Sequence, residues 1–207
     1  MTADPETELQ RPADRGVARR QAFLNAARQV FLENGYEAAS VNDVVRLAGG
    51  SLATLYAQFG NKEGLFLAVS QDQHDRFIRA MTPASVGHLP LEAALQQIGE
   101  HFLRALLARD NIAFFRLVIG EGRKFPQLLQ RYLSSGGADR VRAELAGHLR
   151  GAGISDAETC ASYFIELLRS RHHYRALADD SYSLPEKQLS EHVAGAVRFL
   201  LRGMNLG

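Results

Sequence analysis

The chain predicts an all-α fold, with a short N-terminal helical domain followed by a larger C-terminal helical bundle. Two observations carry that expectation. Apolar residues recur at the spacing of a helix in segment after segment, and glycine, asparagine, proline and short hydroxyl or carboxylate residues stand where such helices would start and stop. The composition agrees: 46% hydrophobic residues, 23% charged residues and only 6 prolines in 207 positions describe a helix-rich chain long enough to bury a core.

Residues 1–16 hold Pro5 and Pro12 among mixed charges without periodicity, and read as a flexible arm. Order begins at Val17. Phe23, Ala26, Ala27, Val30 and Phe31 share one face of a first helix, which Asn34-Gly35 stops. Ser40, with Asp43 three residues on, has the form of a capping box and opens a short second helix that Gly49-Gly50 interrupts. Ser51 caps a third helix over Leu52 to Gln58, ended by Gly60.

Two short helices joined by a tight glycine turn form a helix-turn-helix, whose second helix can enter a DNA major groove. Leu55 and Phe59 make the inner face of that helix, while Ser51, Thr54, Tyr56 and Gln58 offer compact hydrogen-bonding groups on the outer face. By spacing alone the same residues also suit the surface of an αα-hairpin inside a larger bundle.

A fourth helix from Asn61 carries Leu65, Phe66 and Val69, then Phe77 and Ile78, and links a domain at 17–62 to a second at 63–207. Pro90 opens a helix with Leu91, Ala94, Leu95, Ile98, Phe102 and Leu106. Further helices are expected from Ile112 to Glu121 and from Pro126 onward. Ser155 to Glu158 has the capping-box form ahead of a helix through Phe164, Leu167 and Leu168. Pro185 opens a last amphipathic helix with Leu189, Val193, Val197, Leu200, Leu201 and Met204 at heptad-like spacing.

The run FLENGYEAASVNDVVRLAGGSLATLYAQFGNKEGLFLAV resembles the DNA-binding domain of TetR-type transcriptional regulators. The resemblance rests on Phe31, Gly35, Tyr36, Val41, Asp43, Ala48-Gly49, Ser51, Thr54-Leu55-Tyr56, Phe59, Lys62-Glu63 and Leu65-Phe66, in order and spacing. FFRLVIGEGRKFPQLLQRYL resembles the ligand-domain segment of a multidrug-regulator-like branch of that family. The chain departs from the family pattern at Leu52, where lysine is usual, at Val45, where a small residue is usual, and at Gly50, where valine is usual.

The resemblance implies that Thr54, Tyr56 and Lys62 hold phosphates while Ser51, Ala53 and Ala57 face the groove floor, the alanines touching thymine methyls or allowing close approach. Ser40, Asn42 and Gln58 belong to the same expected DNA surface. So does Arg15, one of four arginines with Arg11, Arg19 and Arg20 that form either a basic arm or a solvated helix face. A small apolar or amphipathic effector is implied among Phe102, Phe114, Phe115, Val118, Phe125 and Phe164, residues that otherwise fill the core. His101, Arg116, Glu121 and Tyr163 would give it polar contacts. The resemblance further implies a homodimer through Phe164, Leu168, Val193, Val197, Leu200, Leu201 and Met204, reading a palindrome in double-stranded DNA.

Other classes find little support. Lysine and arginine number 24 against 23 acidic residues, so a polyanion partner must be argued from local charge. Cys160 is alone, which fits a reducing cytosol and a small buried apolar role. No apolar run is long enough to cross a bilayer and the N-terminus is polar and acidic, so a cytoplasmic protein without a membrane partner is expected. His172-His173 with Glu166 and Asp179-Asp180 lack metal-site spacing, and no phosphate loop or GxSxG occurs, so neither enzyme nor cofactor is expected. The chain is expected to be a ligand-responsive, dimeric DNA-binding repressor, with a helical protein-binding adaptor or an activator of the same fold as alternatives.

Overall fold

The computed structural model describes residues 12–81, 89–127, 129–130 and 137–204. Among them run helices α1 (Pro12–Ala38), α2 (Val41–Ala48), α3 (Leu52–Phe59), α4 (Lys62–Met81), α5 (Leu91–Leu106), α6 (Arg109–Glu121), α7 (Gly137–Gly151), α8 (Ala157–Ala178) and α9 (Glu186–Met204). The chain divides into two compact units between Asp72 and Gln73, inside α4, where the sequence suggested a boundary at its start. No helix among the described residues is long and apolar enough to cross a membrane.

In the first unit, α1 runs over Pro12–Ala38. Residues 12–16 are therefore helix where an arm was expected, and residues 1–11, Arg11 included, lie outside the described part. Gly35, at φ 70 and ψ 176, breaks the helix where Asn34-Gly35 predicted a stop. Phe23, Ala27, Val30 and Phe31 from α1 are buried, as are Leu55, Leu65, Phe66 and Val69 from later helices. Phe31 meets Phe66 edge-on, with ring centroids 5.1 Å apart. The turn after α2 requires glycine twice, at φ 70 for Gly49 and φ 104 for Gly50, and a Cβ on Gly50 would lie 3.2 Å from Phe23 Cζ.

Two capping boxes expected from sequence do not form. Ser40 is the N-cap of α2 but its side chain makes no cap bond; its carbonyl accepts from the Asp43 and Val44 amides. Asp156, the N-cap of α8, likewise makes none, and Glu158 pairs with Arg150.

The second unit is built around Leu95, Ile98 and Phe102 of α5, Leu145 and Leu149 of α7, Phe164 and Leu168 of α8, and Val193 and Val197 of α9. Three of these helices crowd together at Gly99, where a Cβ would come within 2.7 Å of Val193 Cγ1 and 3.2 Å of Leu168 Cδ2. Helix α6 starts at Arg109, ahead of the expected Ile112, because its polar first turn carries no apolar signal.

This packing uses most of the expected dimer residues within the protomer. Phe164, Leu168 and Val193 are fully buried within the protomer, Val197 and Leu200 are 1% and 7% exposed, and Leu201 packs half-buried against the same core. The side chain of Met204 lies outside the described part. The apolar stripe of α9 seals its own unit, since an amphipathic helix must cover one face and α5 and α8 supply the cover. The large apolar groups left exposed on α8 and α9 are Tyr163 at 66%, Tyr174 at 73% and Phe199 at 68%.

Candidate nucleic-acid interface

Ser51 holds the start of α3. Its Oγ accepts from the Thr54 amide at 3.1 Å and lies 2.9 Å from Thr54 Oγ1, so the two hydroxyls satisfy one another and the helix end together. On the inner face, Leu55 is fully buried and Phe59 is 8% exposed, with the Phe59 ring edge-on to Phe23. Ser51, Leu52, Ala53, Thr54, Tyr56 and Ala57 are exposed together on the outside. Gln58 departs from the expected outer face: it is half-buried, and its Oε1 is buried without a hydrogen-bond partner. On α2, Asn42 is exposed, Ser40 is half-buried, and Arg46 pairs with Asp43 at 2.9 Å.

The cations around this helix pair serve two ends. Lys62 Nζ donates to the Glu37 carbonyl at 2.9 Å and lies 4.8 Å from the Tyr36 ring centroid, which pins the start of α4 to the end of α1. An ammonium has three donors, so this contact leaves capacity for a phosphate. Arg19 Nη1 donates to the Ala48 carbonyl at 3.3 Å, at the C-terminal end of α2. The Arg20 guanidinium sits 4.6 Å from the Phe59 ring centroid. Arg19 and Arg20 are thus staples of the helix-turn-helix, neither a mobile arm nor a purely solvated face. Arg15 is exposed on α1.

In the second unit, Phe102, Phe114, Val118 and Phe164 are buried, while His101, Phe115 and Phe125 are half-buried. Tyr163 does not join them, because it stands exposed on α8. A cleft of about 240 Å³ is lined by Ile112, Ala113, Arg116, Ala176, Asp180 and Tyr182, with none of the expected aromatics. Arg116 donates to the Ala176 and Leu177 carbonyls, at 2.6 and 2.8 Å, and pairs with Asp180, closing the C-terminal end of α8.

A cluster of histidines lies close by. His172 and His173 are 6% and 2% exposed, His172 Nδ1 shares a hydrogen bond with the Tyr182 hydroxyl, and its ring lies edge-on to His192 at 4.5 Å. Burial, then the charge of His192 and neighbouring arginines, lowers the His172 pKa; burial first and Arg169 second bring His173 down to about 4. Among the described residues no group of histidine, cysteine and carboxylate side chains is arranged to hold a metal.

Residues 23–69 match the family model described as bacterial regulatory proteins, tetR family, and residues 93–203, over half of the chain, match AefR-like transcriptional repressor, C-terminal domain. The chain belongs to the TetR family. This TetR-family chain is 50% identical to the HTH-type transcriptional repressor ComR of Escherichia coli (strain K12) over 58 residues, a match that spans only 28% of either protein. It is 28% identical to the HTH-type transcriptional regulator YvkB of Bacillus subtilis (strain 168) over 182 residues, 82% of this chain and 90% of YvkB. Among solved structures it superposes on the flavonoid-responsive regulator FrrA with a TM-score of 0.74 and 26% identity, covering 89% of this chain and 96% of FrrA. The family is one of transcriptional regulators, not of enzymes.

Within this TetR-family site, sequence reasoning missed the inward roles of Arg19 and Arg20 and the Asn61 side chain, whose Oδ1 accepts from the Gly64 amide at 2.8 Å and caps α4. Asn61 carried a readable signal as an N-cap residue directly before the helix. The arginines carried none, because a long side chain at a helix surface points wherever a carbonyl or ring is offered.

Proposed function

We propose that this chain is a ligand-responsive transcriptional repressor, acting in the cytoplasm as a dimer on a palindromic operator. The observation that carries the proposal is the outer face of α3, where Ser51, Ala53, Thr54, Tyr56 and Ala57 stand exposed over buried Leu55 and Phe59. Thr54 and Tyr56 contact phosphates through their hydroxyls, Lys62 adds a cation beside them, and Ser51, Ala53 and Ala57 face the groove floor. Ser40 and Asn42 approach from α2, and Arg15 from α1.

One copy presents one such helix; two copies related by a twofold axis read two half-sites. Exposed Tyr163 and Phe199 support pairing through the outer faces of α8 and α9. The effector is a small apolar or amphipathic molecule held among Phe114, Phe115, Val118 and Phe125, with Phe102 and Phe164 behind them and His101 as a polar contact. The flavonoid response of FrrA supports such an effector. Release of DNA requires tighter binding of the effector to the non-DNA conformation, with coupling of about 1–3 kcal/mol. Helix α4 suits its transmission, having Leu65, Phe66 and Val69 buried in the first unit and Phe77 and Ile78 packed on the core of the second.

Selection of duplexes from a randomised library by the purified protein tests the proposal. A defined palindromic motif is expected, and Tyr56→Ala should weaken binding to it. Failure of the wild-type protein to retain any duplex would overturn it.

A further inference from the structure

We infer that Leu52 reads thymine 5-methyl groups, so that each operator half-site is recognised largely through methyl contacts at the N-terminal end of α3. The inference deepens the DNA-binding proposal and rests on it.

Leu52 is the first residue of α3, and the N-terminal residues of a recognition helix are those that reach base edges. It is a large apolar side chain left 37% exposed. Ala53 and Ala57 are exposed on the same helix, and Leu47, on the far side of the two-glycine turn, is 51% exposed.

Two of the polar groups around Leu52 are partly engaged within the protein. Ser51 Oγ and Thr54 Oγ1 bond each other and the Thr54 amide, which leaves one hydroxyl hydrogen between them. Gln58 Oε1 is buried, and LATLYAQF contains no charged residue. Leu52, Ala53 and Ala57 thus give the outer face of α3 a hydrocarbon part beside the exposed Ser51, Thr54 and Tyr56 hydroxyls.

In the major groove only thymine offers hydrocarbon, its C5 methyl. The edges of adenine, guanine and cytosine expose N7, O6, N6 and N4, and a leucine set against them strips their water without returning a hydrogen bond. Leu52 thus gains at thymine and loses elsewhere, a discrimination that lysine on a phosphate could not supply.

The test takes the tightest duplex recovered from a randomised library and replaces its half-site thymines singly with deoxyuridine, which removes the methyl and keeps the pairing. Fluorescence anisotropy should show binding about three- to fivefold weaker at one or two positions. In Leu52→Ala the thymine–uracil difference at those positions should vanish while the duplex is still bound. Leu52→Lys should bind all duplexes more alike, with a salt dependence steeper by about one unit of slope. Thermal melts establish that both variants fold, as an exposed first-turn residue allows. Equal affinity for thymine and uracil at every position, or the same penalty in wild type and Leu52→Ala, would overturn the inference. A wild-type protein that binds no duplex would bring down the DNA-binding proposal and this inference with it, a result distinct from binding without a methyl preference.

Discussion

His173 is 2% exposed, and its Nε2 is buried without a hydrogen-bond partner while its ring packs edge-on to Phe115 at 5.2 Å. With a pKa of about 4 in the fold against 6.5 when free, the native state resists the proton that the unfolded chain accepts. Stability is then fully present above the free value and falls as pH drops toward 4, by about 2 kcal/mol at pH about 5 for this group. Urea melts at pH about 7.5 and about 5 should differ more in wild type than in His173→Leu. An equal difference in both proteins would mean that other groups carry the acid sensitivity.

Lys62 shows the same coupling of fold and site on one side chain. With its ammonium on the Glu37 carbonyl and over Tyr36, Lys62→Ala should lower the melting temperature by a few degrees, from a loss of about 1 kcal/mol. It should also weaken binding to all DNA sequences alike and reduce the salt slope by about one. A reduced melting temperature with an unchanged slope would leave Lys62 a purely structural staple. Residue identity predicted the cation at this position, but not its carbonyl partner, because Glu37 and Lys62 are brought together only by the fold.

At the scale of elements, α8 contains a break at Ser170, which sits at φ 37 and ψ −149 inside an otherwise helical run. The carbonyls of Leu167 and Leu168 would normally take their amide partners from beyond that break; here both accept from His192 Nε2 at 3.1 Å. An imidazole N–H from α9 thus reaches the carbonyls just ahead of the break in α8. A serine in this region of backbone space carries strain that glycine does not, so Ser170→Gly should raise stability by about 1 kcal/mol. A lower melting temperature in that variant would show the break to be relaxed.

The break had no sequence signal, since serine and arginine are ordinary helix residues. Elements bounded by glycine, proline or a good N-cap were legible: the stop at Gly35, the turn at Gly49-Gly50, and the starts behind Ser51, Asn61, Pro90 and Pro185 all lie where backbone chemistry puts them. Helix α7 lies within the stretch expected to be helical from Pro126 onward, with Val141, Leu145, Ala146 and Leu149 as its buried stripe. The two faces of α3 were legible because helical periodicity alone separates Leu55 and Phe59 from Tyr56. Gln58 was not, since its burial depends on tertiary neighbours.

For the whole molecule, the buried stripe of α9 changes how assembly is tested. A charge at Val197, 1% exposed, breaks the protomer core and reports on folding. Phe199→Glu together with Tyr163→Glu, both on exposed positions, should leave the protomer folded and shift light scattering from dimer to monomer. Operator affinity should fall with it, because one half-site's contacts are too few. Folded variants that remain dimeric would place the contact elsewhere.

The uncharged reading face of α3 also bears on how such a regulator finds its operator. A recognition helix without cations leaves the attraction to arbitrary phosphate backbone to a few flanking groups such as Lys62. On the proposed role, encounters with random DNA would be brief, sliding runs short, and the search would proceed mainly by repeated collision from solution. On that role, little of the protein would be parked on the chromosome, the free pool would stay close to the total, and promoter occupancy would follow small changes in copy number.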